Sequence, residues 1–224
     1  QFYSMADTLI VGRTIGVNAL AAVGCTGSIT FLILGFVQGL TSGLSIITSQ
    51  KFGAKNEDDV RKSFAASILI SSAVAIITTI LSVLLARPLL ELLQTPSEII
   101  DDAWAYLVII FLGIPATVLF NLLSNAVRAL GDSKTPLYFL IFACCINIIL
   151  DLVFILYFHL GVVGAGIATI LSQLLSGILC IFFIIKKVPI LWLKKTDFQM
   201  HYEVITSHLS IALPMAFQMS IIAI

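Results

Sequence analysis

The feature that most restricts this chain is an apolar run from Leu137 to Phe158 that carries Asn147 and Asp151 inside it. A helix of about 20 apolar residues is long enough to cross the roughly 30 Å hydrocarbon core of a bilayer. Asp151 is then a carboxylate within a membrane helix. An acid at mid-helix costs about 2.5–3.5 kcal/mol on insertion scales, so such a group turns toward protein or a water-filled path. Asn147 precedes it by one helical turn on the same face. An acid and an amide oxygen stacked in this way can hold a proton or a small hard cation. The plainer alternative is an interhelical hydrogen-bond pair that only fixes packing.

Composition agrees with a membrane protein and excludes a soluble domain: 59% of residues are hydrophobic, 11% are charged, and the mean hydropathy is +1.11. The formal net charge of zero gives no reason to expect a nucleic-acid partner. Cys25, Cys144, Cys145 and Cys180 lie in or beside apolar segments without metal-ligand spacing and read as small hydrophobes. The chain opens at Gln1 with no charged leader region and stops within an apolar run at Ile224, so it is expected to be a piece of a longer protein.

Seven spans are expected. The first ends near Val11, followed by Arg13 at the headgroups, and the second covers Ser28 to Gln50 with Gly35, Gly39 and Gly43 on one stripe. Small residues at that spacing admit a second helix closely. Asn56 is placed to cap the third span, with Glu57, Asp58 and Asp59 in its first turn and a hydrophobic length from Phe64 to Ala86. After a connection at 87–102, Thr95-Pro96-Ser97-Glu98 has the pattern of a helix start for the fourth span, which runs to Val127 with a kink at Pro115. The fifth begins at Thr135-Pro136, and a tight turn about Leu160 leads into the sixth, which ends near Ile185. A polar connection over 186–206, with Trp192 at the membrane interface, precedes a seventh span beginning near Leu209.

Ten of the twelve Lys and Arg residues fall in the connections 2–3, 4–5 and 6–7, and only Arg13 and Arg87 fall on the other side. The positive-inside rule therefore puts those three connections in the cytoplasm. Asp151 stands nine residues before Leu160 and Thr169 nine after it, so both are expected roughly 13 Å below the outer turn. Asp7 is expected at a similar depth, about 9–14 Å from the outer end of its helix, with Asn147 a turn deeper. Two carboxylates at one depth should behave as a coupled pair that shares a proton or a cation. The histidines, His159, His201 and His208, are expected near or outside helix ends, away from any nucleophile–base or metal spacing, which argues against a membrane-embedded enzyme.

Four segments, in order, together resemble the multidrug and toxic compound extrusion family of secondary transporters. They are Tyr3 with Asp7-Thr8, Val11-Gly12 and 19–24; Gly43-Leu44-Ser45 through 49–54; 128–136; and Asn147 and Asp151 coupled to 161–169. The resemblance implies an all-α polytopic membrane bundle of twelve helices in two six-helix lobes, with this chain supplying residues 1–185 as the first lobe, 186–206 as the inter-lobe linker and 207–224 as the start of helix 7. It implies a monomer in a bacterial or archaeal plasma membrane, in contact with lipids and with the second lobe, that exports amphipathic, often cationic, organic molecules by alternating access. Inward movement of H⁺ or Na⁺ would drive export, with no other cofactor, and a cation site is implied at Asp7, Asn147, Asp151 and Thr169. Gln38, Asn121 and Asn125 are candidates to line the substrate cavity, although interhelical hydrogen bonding is the better reading of each. The alternative on the same fold is a flippase for lipid-linked precursors. It would favour a cavity rich in Arg and Lys, whereas the spans here hold acids and almost no buried base.

Overall fold

A computed structural model describes residues 10–198 and 202–222. The described residues form helices α1 (Val17–Cys25), α2 (Gly27–Gly53), α3 (Glu57–Leu92), α4 (Ile100–Leu112), α5 (Ile114–Ala129), α6 (Lys134–Leu152), α7 (Gly161–Lys187) and α8 (Tyr202–Ile221). A π-helical turn at Val153–Tyr157 extends α6, and two 3₁₀ turns, Pro189–Leu191 and Lys195–Phe198, lie between α7 and α8. Five elements, α2, α3, α6 with its π turn, α7 and α8, are long and apolar enough to cross a membrane. The bent pair α4–α5 makes a sixth. These correspond to the second through seventh expected spans. The first falls largely on residues outside those described.

Local chemistry explains most of the boundaries. Asn56 caps α3 through a hydrogen bond from Asp59 N to its Oδ1 at 3.2 Å, and Glu57, Asp58 and Asp59 occupy the positive end of the helix dipole. The fourth span breaks at Gly113 rather than bending smoothly, with 44° between α4 and α5. Pro115 sits in the first turn of α5, where its missing N–H belongs to a set that has no intrahelical acceptor anyway. The turn before α6 uses Gly131 at φ 90°, and Asp132 caps the helix from outside, accepting from Lys134 N, Thr135 N and Thr135 Oγ1. The turn about Leu160 is as expected, flanked by His159 and Gly161 with positive φ.

Several boundaries differ from expectation. Residues 17–25, which lie between the first and second expected spans, form a short helix after Gly16, consistent with the high helix propensity of its alanines, and bury Ala19, Ala22 and Val23. Helix α3 does not stop at Ala86 but continues through Pro88 to Leu92. Arg87 holds that extra turn against the next helix, paired with Glu91 at 3.7 Å and Asp101 at 3.3 Å and stacked over Trp104. The Thr95–Glu98 pattern does not cap a helix. Residues 97–99 form a turn in which Ile99 N and Ile100 N donate to Pro96 O, and α4 starts at Ile100. Helix α7 runs two residues past Ile185, and α8 begins at Tyr202, ahead of the expected start.

The glycine stripe of α2 has a clear use. A Cβ on Gly43 would stand 2.6 Å from Ala212 Cα, and one on Gly35 would stand 2.9 Å from Met219 O, so α8 lies backbone-to-backbone along α2. Around this pair, Leu40, Leu44, Ile70, Ala212 and Ala216 are buried together. Conversely, α3 presents Ile76, Ile77, Ile80 and Leu84 outward, each more than half exposed, as a helix facing lipid would.

Candidate functional site

Helix α6 is built the wrong way round for a water-soluble protein. Its large apolar residues, among them Leu137, Tyr138, Ile141, Ile149 and Leu152, are exposed, while Pro136, Ala143, Asn147 and Asp151 are its buried positions. Ala143, Asn147 and Asp151 follow one another at four-residue spacing, so they form a single narrow stripe that the rest of the bundle covers. Asn147 and Asp151 are both 0% exposed. Immediately beyond Asp151 the helix widens into the π turn, a distortion that is frequent at functional sites.

Helix α7 packs alongside α6 and supplies the third group. Asn147 Nδ2 lies 3.4 Å from Thr169 Oγ1, and Thr169 Oγ1 also donates to Ala165 O at 3.1 Å. Among the described residues the buried Asn147 Oδ1 has no hydrogen-bond partner. The cluster therefore combines an amide oxygen, a hydroxyl and a carboxylate one turn away, all hard oxygen donors that suit a proton or an alkali cation better than a soft metal. No group of three or more His, Cys, Asp or Glu that could bind a metal is present among the described residues. Asp7, the fourth expected member, lies outside the described residues. Three of the four thus fall on adjacent helices, with Asn147 in contact with Thr169.

The three cavity candidates separate. Asn125 is buried and binds between helices, with Nδ2 3.5 Å from Thr41 Oγ1 and 3.3 Å from Ser42 Oγ on α2, while its Oδ1 accepts from Arg128 at 3.3 Å. Gln38 is exposed, Asn121 is half-buried, and none of the three lines the cavity of about 800 Å³ found elsewhere in the bundle.

Two polar constellations were not anticipated. His208, expected at a helix end, lies inside α8 and is 2% exposed. Its Nδ1–H donates to Val204 O at 2.7 Å, so in the neutral ring Nε2 accepts from Ser63 Oγ at 2.9 Å, and Ser63 Oγ is 3.0 Å from Thr48 Oγ1. This chain of hydrogen bonds ties α8 to α3 and α2. The other is Arg61, buried against Asp197 with Nε 3.5 Å from Oδ2 and also paired with Asp58. Asp197 in addition accepts from Lys194 N at 2.8 Å, so the segment between α7 and α8 is pinned to the start of α3. Neither His208 nor Asp197 carried a signal in the sequence, because both depend on contacts between residues more than a hundred positions apart.

Comparison with known proteins gives a consistent result. The family model MatE matches residues 1–153. A protein of Bacillus subtilis named "Probable multidrug resistance protein YpnP" is 37% identical over 191 residues, covering 82% of this chain and 41% of that protein. The FAD transporter of Shewanella oneidensis is 29% identical over 190 residues, covering 80% of this chain and 41% of that one. A solved inward-facing conformation of a multidrug resistance MATE transporter superposes with a TM-score of 0.90 at 25% identity, covering 99% of this chain and 51% of that one. The chain spans about half the length of the relatives it matches.

Proposed function

Because the chain belongs to the MatE family, we propose that it forms the first lobe of a multidrug exporter in which Asn147, Asp151 and Thr169 bind the driving cation. The observation that carries this is the stripe on α6, where an amide and an acid are fully buried while the apolar residues of the same helix are exposed. Burying a carboxylate in a membrane helix is costly, and a site that takes up H⁺ or Na⁺ during the cycle offsets that cost when occupied. Occupied and empty states then favour different packings of α6 and α7. The difference in stability between those packings is the coupling between ion and substrate. Asp7 is proposed as the second acid of the site, and inward flow of H⁺ or Na⁺ as the driving force for outward movement of an amphipathic organic molecule. On this reading the lysine-rich connections face the cytoplasm, so single cysteines at 51–62, 128–134 and 186–206 should be labelled only from that side.

The direct test is Asp151→Asn, which keeps shape but cannot ionise. Gradient-driven efflux of a cationic dye from cells should be lost while membrane insertion and expression are kept. Wild-type efflux by the variant under the same gradient would make Asp151 a packing residue. A second cargo class has one observation in its favour. Arg128, half of a pair with Asn125 beside Thr41 and Ser42, could meet an anionic group, and one relative is named an FAD transporter. Competition of dye efflux by a flavin nucleotide, lost in Arg128→Gln, would favour that cargo.

A further inference from the structure

The described residues contain an apolar groove of about 800 Å³ that the transport site does not use. Its walls come from α3 and α7, with Ile76 and Ile185 among their residues. Its floor is α5 at Pro115 and Leu119, and Leu191 and Trp192 of the α7–α8 segment roof one end. None of its lining residues belongs to α2 or α8, and α8 docks on α2 through the glycine stripe. Ile76, Ile185 and Trp192 are each more than half exposed, so the groove opens onto the lipid-facing row of α3.

The roofed end is strongly basic. Lys186 and Lys187 directly follow the lining residue Ile185, and Lys194 and Lys195 directly follow the lining residue Leu193. All four are exposed, and among the described residues none of them is in an ion pair. The nearest acid in that segment, Asp197, is already buried against Arg61. Trp192 sits between the two lysine pairs with its Nε1 donating to Ile185 O at 3.0 Å, which fixes its ring at the groove mouth. An apolar slot ending in uncompensated lysines and an interfacial tryptophan has the two halves of a lipid complement: hydrocarbon along the slot and negative charge at its end.

We propose that this groove is a binding site for one anionic phospholipid, with an acyl chain along α5 between α3 and α7 and the headgroup phosphate among Lys186, Lys187, Lys194 and Lys195. Held there, the lipid bridges the end of α7 to the segment that Arg61 and Asp197 tie to α3, and so connects the membrane leaflet to the strap leading into α8.

Trp192 reports occupancy directly, because the only other tryptophan, Trp104, lies under Arg87 at the opposite end of α3. In a Trp104→Phe background the purified protein is reconstituted in phosphatidylcholine doped with chain-brominated phosphatidylglycerol or chain-brominated phosphatidylcholine. The brominated anionic lipid should quench Trp192 at a mole fraction roughly fivefold lower than the zwitterionic one at low ionic strength, and salt should shrink the difference. Lys194→Gln with Lys195→Gln should erase most of the preference. Ser72→Phe, an exposed lining position on α3, should cut quenching by the anionic lipid by filling the slot. Equal quenching by the two lipids would mean ordinary boundary lipid and overturn the proposal. So would a preference that survives the lysine substitutions, or one that Ser72→Phe leaves untouched, since the first removes the headgroup contact and the second the seated chain.

Discussion

Two buried polar clusters in this bundle look alike in composition and differ in how their hydrogen bonds close. The His208–Ser63–Thr48 chain is self-consistent: each donor meets an acceptor, from Thr48 through Ser63 to the imidazole, whose remaining N–H ends on Val204 O. The Asn147–Asp151–Thr169 cluster instead concentrates acceptors, with a carboxylate, a hydroxyl and an amide oxygen that has no hydrogen-bond partner among the described residues. A closed network adds rigidity and specifies one packing, here of α8 on α2 and α3. An acceptor-rich one leaves an oxygen, here Asn147 Oδ1, open to a proton donor or a cation. Buried polarity alone therefore does not mark a coupling site, and the excess of acceptors is what sets the proposed site apart.

The largest expected effect sets the two clusters against each other. Asp151→Asn should end gradient-driven efflux yet leave the thermal midpoint within about 2 °C of wild type, because it removes charge and keeps volume. His208→Ala should do the reverse. Loss of the ring strands Ser63 and opens a void, destabilising by about 2 kcal/mol in thermal unfolding, while the ion dependence of transport stays that of wild type. If both variants lost stability and neither lost ion dependence, the contrast between the clusters would collapse.

A smaller effect is expected at Thr169. Thr169→Ala deletes one neutral oxygen, worth about 1 kcal/mol, so the driving-ion concentration for half-maximal efflux should rise roughly fivefold with the maximal rate preserved. Thr169→Ser keeps the hydroxyl and should restore the wild-type value. Failure of serine to rescue would assign the residue to packing.

The smallest effect lies outside both clusters, at the turn between α5 and α6. The hydrogen bonds from the Thr135 side chain and backbone hold the Asp132 carboxyl below its ordinary value of 3.8. A depressed folded pKa means a contribution that is present above the unfolded pKa and is lost as pH falls through the folded one. Asp132→Asn should consequently cost well under about 1 kcal/mol at neutral pH, and the gap from wild type should close on acidification below pH ~4. A gap that widens toward acid pH would contradict that sign.

What the sequence made legible follows from the range of the interactions involved. The second through seventh spans, the Asn56 cap, the glycine stripe and the shared buried face of Asn147 and Asp151 depend on spacings of three to eight residues along one helix. Symmetric distance from the Leu160 turn put Thr169 level with Asp151 on the facing arm, whereas the hydrogen bond in the fold reaches Asn147, one turn deeper on the same stripe. The Thr95–Glu98 pattern misled because a helix start was inferred from residue types alone. In the fold, Pro96 O instead accepts from Ile99 N and Ile100 N, and α4 begins later. Extension of α3 past Pro88 rests on Arg87 reaching Asp101 and Trp104 across a turn, and the burial of His208 rests on α8 meeting α3. Contacts of that kind leave no periodic trace. The inverted burial of α6 was also only half visible, since an apolar run does not say which of its faces the protein covers.

The most direct measurement is proton release by the purified protein in weakly buffered solution when Na⁺ or a cationic dye is added. If Asn147, Asp151 and Thr169 hold the coupling cation, the wild type releases protons on either addition, the two ligands compete with H⁺, and Asp151→Asn loses that release while still binding the dye. A variant that releases as many protons as the wild type over the same pH range would place the coupling site elsewhere.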